Sequence, residues 1–381
     1  MKILFIISDF DMGGITSSLR NFSNLLIQKG HEVHILNLPK IARPKDFNQN
    51  IKMIELKGRS RYWNISAKSV KNTKGIKKLA LFLIGIYKKF LNKQGQWYKF
   101  IFKKSFWQGY DVAIGFRQSP ICFYLTTDKT DARRKIGFWH GDIVTMGDVS
   151  SWMHYSYPLD KLACVSKAVA EGVEKAYPLL KGKTCTVYNI FNDDEIKALS
   201  MERFEKYEKD VFNIVTVARI EFIQKQLDWV PPICEKLKSE GFKFRWYIVG
   251  DGPDKEKLYS LIHEYQINDD LILCGNQTNP YPYIKNAQLL VLLSSCESYG
   301  MVVIEALICG TPVVVARYPA LTEILEDGKN GIIAENSVEG VYAAVKEVLQ
   351  NEVLYNHLKS NCREYKYSNE DVYKEFLETV K

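Results

Sequence analysis

Along this chain, short runs of consecutive apolar residues alternate with longer stretches in which apolar positions recur every three or four. Unbroken runs of four to six residues rich in Val, Ile and Phe suit strands buried on both faces of a parallel sheet, and the helical repeats suit covering helices. In the first half this pattern predicts strands at 3–7, 33–37, 111–115, 135–138 and 161–165. It restarts with a strand at 212–218, a helix at 226–241, a strand at 244–249, a helix at 253–263 and strands at 271–274, 289–293 and 313–316. A boundary is expected near 188–192, after Thr184-Cys185-Thr186-Val187 and before the charged stretch 193–210. The fold class is therefore α/β. With 381 residues and 46% apolar content the chain can fill two cores.

Candidate chemistry sits where predicted strands hand over to helices. After the first strand, Asp9-Phe10-Asp11-Met12-Gly13-Gly14-Ile15 leads into a helix expected from 16 to 29, closed by Gly30. Gly13 and Gly14 there serve either a tight turn or the approach of backbone amides to a phosphate. The spacing is not G-x-G-x-x-G, which disfavours a dinucleotide site. Arg219 and Lys225, six residues apart after the strand at 212–218, are either surface charges or a clamp for a diphosphate. Val249-Gly250-Asp251-Gly252-Pro253 reads first as a turn with a helix-starting proline. The most specific stretch is Leu292-Leu293-Ser294-Ser295-Cys296-Glu297-Ser298-Tyr299-Gly300-Met301, continuing to Glu305 and Gly310. It reads as strand, polar loop, helix and glycine stop, with Glu297 and Glu305 eight positions apart and facing the crevice where open α/β sheets bind ligands. A carboxylate among Val302, Val303, Ile304, Ala306 and Leu307 must have partners. His140, in Gly137-Phe138-Trp139-His140-Gly141-Asp142, ends a strand and is either a structural hydrogen-bonder or a ligand contact.

The glutamate pair resembles the E-x7-E signature of retaining glycosyltransferases of the GT-B fold, specifically glycosyltransferase family 4, and the opening Gly13-Gly14 to Val33 and the pair Arg219/Lys225 agree with it. The resemblance implies two doubly wound, Rossmann-like domains with a cleft between them: 1–190 on the acceptor side, 191–363 binding the nucleotide sugar, and 364–381 a last helix crossing back to the first domain. It implies transfer of a hexosyl group, with retention, from a UDP-linked sugar to a glycan or lipid-linked acceptor in cell-envelope or capsular polysaccharide synthesis. His140, Glu297, Arg219 and Lys225 would form the catalytic site. Gly13, Gly14, Gly250, Asn276, Ser298, Tyr299, Gly300, Met301, Val302 and Glu305 would join Arg219, Lys225 and Glu297 around the donor, with Glu305 on the ribose. No cofactor or metal is implied, and the D-x-D of Asp9 and Asp11 is read as a loop feature. Glu323 fits the family's last loop, although Tyr318-Pro319 replaces the usual glycines.

Charge adds a second theme. The net charge is +8, yet fourteen Lys and Arg and no Asp or Glu lie between Leu56 and Tyr110, leaving 38 cationic against 44 acidic residues elsewhere. A helix at 71–93 would carry lysines, including Lys77, Lys78, Lys88 and Lys89, on one half and Ile76, Leu79, Leu83, Ile84 and Ile86 on the other, with Leu81 and Phe82 intruding on the basic side. Its basic outer face suits an anionic membrane surface, and no reading motif points to nucleic acid. The eight cysteines form no C-x-x-C pair, as in a reducing compartment. The first apolar run is too short for a leader and none reaches the length of a membrane span. A cytoplasmic protein, peripheral on the inner face of the cell membrane, is the expectation. The alternatives are a nucleotide-sugar epimerase of the same fold and a non-enzymatic two-domain sugar-binding protein, which should carry an export signal.

Overall fold

Consecutive apolar residues become buried strands in two parallel sheets. The computed structural model of the chain describes all residues except 11–12, 39–45, 59, 61–62, 65–80, 87, 89–95 and 148. The first sheet holds β1 (Lys2–Ile7), β2 (Glu32–Asn37), β3 (Lys52–Glu55), β4 (Val112–Gly115), β5 (Arg134–Trp139), β6 (Lys161–Cys164) and β7 (Thr184–Thr186), in the order β3-β2-β1-β4-β5-β6-β7. The second holds β8 (Phe212–Val217), β9 (Phe244–Val249), β10 (Leu271–Gly275), β11 (Leu289–Leu292), β12 (Val313–Ala316) and β13 (Gly331–Ala334), in the order β10-β9-β8-β11-β12-β13. Both are doubly wound. In β1, alternate residues feed opposite layers: Leu4 and Ile6 join one apolar cluster, Ile3, Phe5 and Ile7 another, all of them fully buried.

In each sheet the strand order reverses once next to the first strand, between β1 and β4 and between β8 and β11. Loops leaving the two strands at such a point diverge to opposite faces and open a crevice at their C-terminal ends. Those segments begin at Ser8 and Phe116 in the first half, and at Ala218 and Leu293 in the second. The last helix, Asn369–Val380, buries Val372, Phe376 and Val380 in the first half's core, with the Phe376 ring 5.1 Å from Phe22.

Three features depart from the sequence reading. The edge strands β3, β7 and β13 are three or four residues long, and β3 and β7 carry no apolar run longer than two residues. The helix expected from 226 runs from Val230 to Ser239 after a 3-10 turn at Leu227–Trp229, because Gln226 takes a left-handed φ of 49° and Pro231 and Pro232 suit only a first helical turn. The basic helix expected at 71–93 lies largely outside the described residues, as do Lys77, Lys78 and Lys89. In the part that is described, residues 81–86 are helical, Leu81 and Ile84 face the core, and Phe82, Leu83 and Ile86 stand exposed. The inward stripe is thus rotated from the one expected. Lys88 is half-buried with its Nζ 6.0 Å from the Trp97 ring, rather than on an outer basic face.

Candidate active site

Loops from both switch points meet at one cleft of about 410 Å³. The first half lines it with Gly13, Gly14, Ile15, His140 and Asn189, and the second with Arg219, Lys225, Glu297, Ser298, Gly300, Met301 and Val302. Two helix N-termini open onto it, those of Gly14–Gln28 and Met301–Ile308. Among the described residues neither N-cap residue, Gly13 or Gly300, supplies a side-chain cap and neither first turn holds an acidic residue, whereas Ser119, Ser166, Asn192, Ser337, Asn351 and Ser368 cap helices elsewhere. Uncapped amides and the helix dipole favour an anion between them. The two ends approach closely: a Cβ on Gly14 would lie 3.1 Å from the Met301 sulfur.

The second half supplies the cations. Loop 218–225 is zipped to loop 293–300, with Ser295 N donating to the Gln224 carbonyl at 2.9 Å and Gln224 Nε2 to the Cys296 carbonyl at 3.2 Å. This holds the Lys225 ammonium 2.5 Å from Glu297 Oε1, which also accepts from Ser294 Oγ at 2.8 Å. Arg219 is exposed on the cleft wall and pairs with no carboxylate among the described residues. Gly250 and Gly252 do not line the cleft. They let their loop lie flush against the Arg219 segment, since a Cβ on either would sit 1.9 Å from the Ala218 carbonyl oxygen or 2.1 Å from that of Ile220. Gly250 thus packs against the segment that carries Arg219. Asn276 is exposed after β10 and is not among the lining residues either.

His140 is buried between Phe116 and Phe138, with ring centroids 4.7 and 5.7 Å away. Burial, against a hydrogen bond to the Phe116 carbonyl and with help from the nearby Arg117 charge, lowers its pKa to about 3. The imidazole is neutral, and its Nε2 is buried with no hydrogen-bond partner among the described residues. With the other ring nitrogen donating to Phe116, Nε2 is an acceptor at the cleft.

Glu305 lies one turn behind Met301, enclosed by protein yet retaining partial solvent contact, and outside the residues that line the cleft. Burial raises its pKa to about 7, opposed by a long 3.4 Å hydrogen bond from Tyr281 and by the Arg20 charge. A carboxyl so poised lacks strong donors of its own.

Several candidates turn out to join the two halves. Tyr299 lines the cleft, with its ring buried against Tyr188 at 5.4 Å and its hydroxyl bonded to that of Tyr367 at 2.9 Å. Gly300 has φ +84°, and a Cβ there would meet the Tyr318 hydroxyl at 2.1 Å, which accounts for the tyrosine in a loop expected to be glycine-rich. The Glu323 carboxylate accepts from the amides of Lys167 and Ala168 at 2.8 and 2.9 Å and from Tyr188 at 2.9 Å. It thereby caps a first-half helix. Ser166, at the same helix end, donates to the Ser298 carbonyl at 2.7 Å. Asp9 is ion-paired with Arg117, and Asp11 lies outside the described residues. Among the described residues no three His, Cys, Asp or Glu side chains cluster as metal ligands. Sequence reasoning overlooked Arg117, Gln118, whose Oε1 accepts from the His140 amide at 3.1 Å, Asn189 and Tyr281. The first two were signalled only by following a strand at the switch point.

Residues 189–365 match the family model described as Glycosyl transferases group 1. The N-acetyl-alpha-D-glucosaminyl L-malate synthase of Bacillus anthracis is 25% identical over 259 residues, covering 65% of this chain and 67% of that protein. The poly(ribitol-phosphate) alpha-N-acetylglucosaminyltransferase of Staphylococcus aureus is 28% identical over 159 residues, covering 40% of this chain and 32% of that one. A crystal structure of an S. aureus TarM variant in complex with fondaparinux, alpha-GlcNAc-glycerol and UDP superimposes with a TM-score of 0.70 over 100% of this chain and 99% of that one, at 16% identity. That identity speaks for the fold alone. Two parallel sheets facing one another across an anion-favouring cleft give the chain the GT-B fold, and the matched Glycosyl transferases group 1 domain forms the second wall of that cleft.

Proposed function

We propose that the chain transfers a hexosyl group from a UDP-linked sugar to a glycan or lipid-linked acceptor in cell-surface polysaccharide synthesis, with retention and without a metal. The supporting observation is the convergence of Arg219, Lys225 and two uncapped helix N-termini on one cleft. These groups suit a diphosphate leaving group, whose charge grows as the anomeric C–O bond breaks; donors fixed in advance act most strongly on that charge. His140 Nε2 would accept a sugar hydroxyl, and Glu305 would take the ribose. The acceptor hydroxyl attacks the face that the phosphate leaves, and the leaving phosphate oxygen takes its proton. UDP in the TarM complex and the poly(ribitol-phosphate) polymer named for the S. aureus relative support the donor and polymer-acceptor readings. Thermal-shift screening across UDP-, GDP- and ADP-sugars in EDTA tests the proposal: stabilisation by UDP-sugars is expected, and stabilisation only by another nucleotide or only after adding manganese would overturn it.

A further inference from the structure

Helix Lys167–Ala176 of the first half begins against the second half, and side chains meet its first three amides. Lys167 N and Ala168 N donate to the two oxygens of Glu323 at 2.8 and 2.9 Å, and Val169 N donates to Ser166 Oγ at 3.2 Å. A hydroxyl that accepts still has one proton to give. Ser166 gives it to the Ser298 carbonyl at 2.7 Å, so one fully buried oxygen both caps a helix of the first half and holds backbone of the second. Tyr188 closes the same junction, its hydroxyl donating to Glu323 at 2.9 Å while its ring stacks on Tyr299. These cross-cleft ties end on Glu323 or on Ser298 and Tyr299, the two residues directly after Glu297.

The loop after β11 needs such a hold. Its early part is tied to Gln224 through Ser295 and Cys296, within the second half. Beyond Glu297, Ser166 holds the Ser298 carbonyl, and Tyr318 reaches the Tyr299 carbonyl by a longer bond of 3.4 Å. The peptide bond from Ser298 to Tyr299 is trans, so its C=O and N–H point in opposite directions. With the carbonyl drawn to Ser166, the Tyr299 N–H is turned back towards the second half. We propose that Ser166 is a positioning residue for sugar transfer: from the first half it fixes the peptide planes between Glu297 and the start of helix Met301–Ile308. Ser166 is not among the residues lining the cleft, so it acts through Ser298, which is. Donors stabilise a departing group best when their direction is set in advance, and this hydroxyl sets it for a loop that no sheet ladder holds. The rate effect rests on the donor reading above; the order of the loop does not.

Ser166→Ala, with Ser166→Thr as the rescue and Ser337→Ala as the control, tests the assignment. Ser337 caps helix Val338–Gln350 by accepting from Gly340 N at 3.0 Å, wholly within the second half, so its loss removes an N-cap without touching the junction. Both alanine variants should melt below the wild type. Only Ser166→Ala should speed hydrogen exchange in the segment 297–303. Only that variant should also lower kcat for UDP-sugar hydrolysis, on the order of tenfold for one good hydrogen bond, with UDP affinity unchanged. Ser166→Thr keeps the hydroxyl and should restore both exchange and kcat. Ser166→Gly gives up the hydroxyl at less cost to the helix start than Ala, and should show the same pattern even where Ser166→Ala does not fold. Wild-type exchange at 297–303 in the variants lacking the hydroxyl would overturn the proposal. So would an equal fall in kcat in Ser166→Ala and Ser337→Ala, which would make it a cost of lost stability alone. Exchange needs no donor: the expected exchange pattern in a protein that hydrolyses no UDP-sugar would remove the donor reading and uphold the hold of Ser166 on the loop.

Discussion

Glu297→Gln should tighten UDP binding while slowing turnover, an unusual pairing that follows from the 2.5 Å contact between Lys225 and Glu297. The two side chains are only 18% and 15% exposed, so water screens their attraction less than at a surface. Unit charges 4 Å apart interact by about 4 kcal/mol at an effective dielectric of about 20, an upper bound for what the empty enzyme gives up when Lys225 turns towards a diphosphate. Glutamine keeps the shape and one hydrogen bond but removes the charge, and with it the repulsion between carboxylate and diphosphate. A net gain of about 1–2 kcal/mol, roughly five- to thirtyfold in Kd, is expected. Turnover should fall because the sugar loses its carboxylate neighbour. Calorimetric titration with UDP, paired with donor hydrolysis rates, makes the measurement. Unchanged or weaker UDP binding would refute the idea that Glu297 holds Lys225 in reserve.

His140, with its pKa lowered by burial, is neutral in the fold and protonated in the unfolded chain below about 6.5, so stability should fall as pH drops from 6.5 towards 3, by at most about 1.4 kcal/mol per unit. His140→Phe should flatten that part of the melting-temperature profile, and an unaltered profile would remove the buried neutral imidazole from the account. Glu305, with its pKa raised to about 7 by burial, should bind ribose better as pH rises through 7 and its carboxylate forms. Uridine, which has no titrating phosphate, should show this rise, Glu305→Gln should bind it weakly at every pH, and a flat profile in the wild type would argue against the ribose contact. Gly300→Ala should cost about 2–3 kcal/mol through positive φ and collision with Tyr318, and adding Tyr318→Ala should restore part of it; an unchanged melting temperature would contradict the geometry.

The sequence made the long central strands and the glutamate-bearing loop legible because burial on both faces demands unbroken apolar runs and because helix stops leave glycines such as Gly310. It hid the edge strand β7, whose residues Thr184–Thr186 are only half-buried and need no apolar pattern. The site was legible in outline, since Arg219, Lys225, Glu297 and His140 do come together. The sequence did not show where a residue serves its neighbours' structure: Gly250 lies against Ala218, the Tyr299 ring faces Tyr188, and Glu323 caps the helix that starts at Lys167. Those contacts join residues 32 to 156 positions apart, beyond the reach of any local pattern. The outward apolar face at 82, 83 and 86 was hidden for a related reason, because a short helix with no polar residue gives no clue to which side is covered.

The central claim is that Arg219 and Lys225 hold a diphosphate as it departs. Hydrolysis of a UDP-sugar in EDTA, compared between the wild type and Arg219→Ala, tests it most directly. The exposed arginine supports no core contact, so the variant should keep the wild-type melting temperature while losing on the order of a hundredfold or more in turnover. Equal rates in the two proteins would contradict the account.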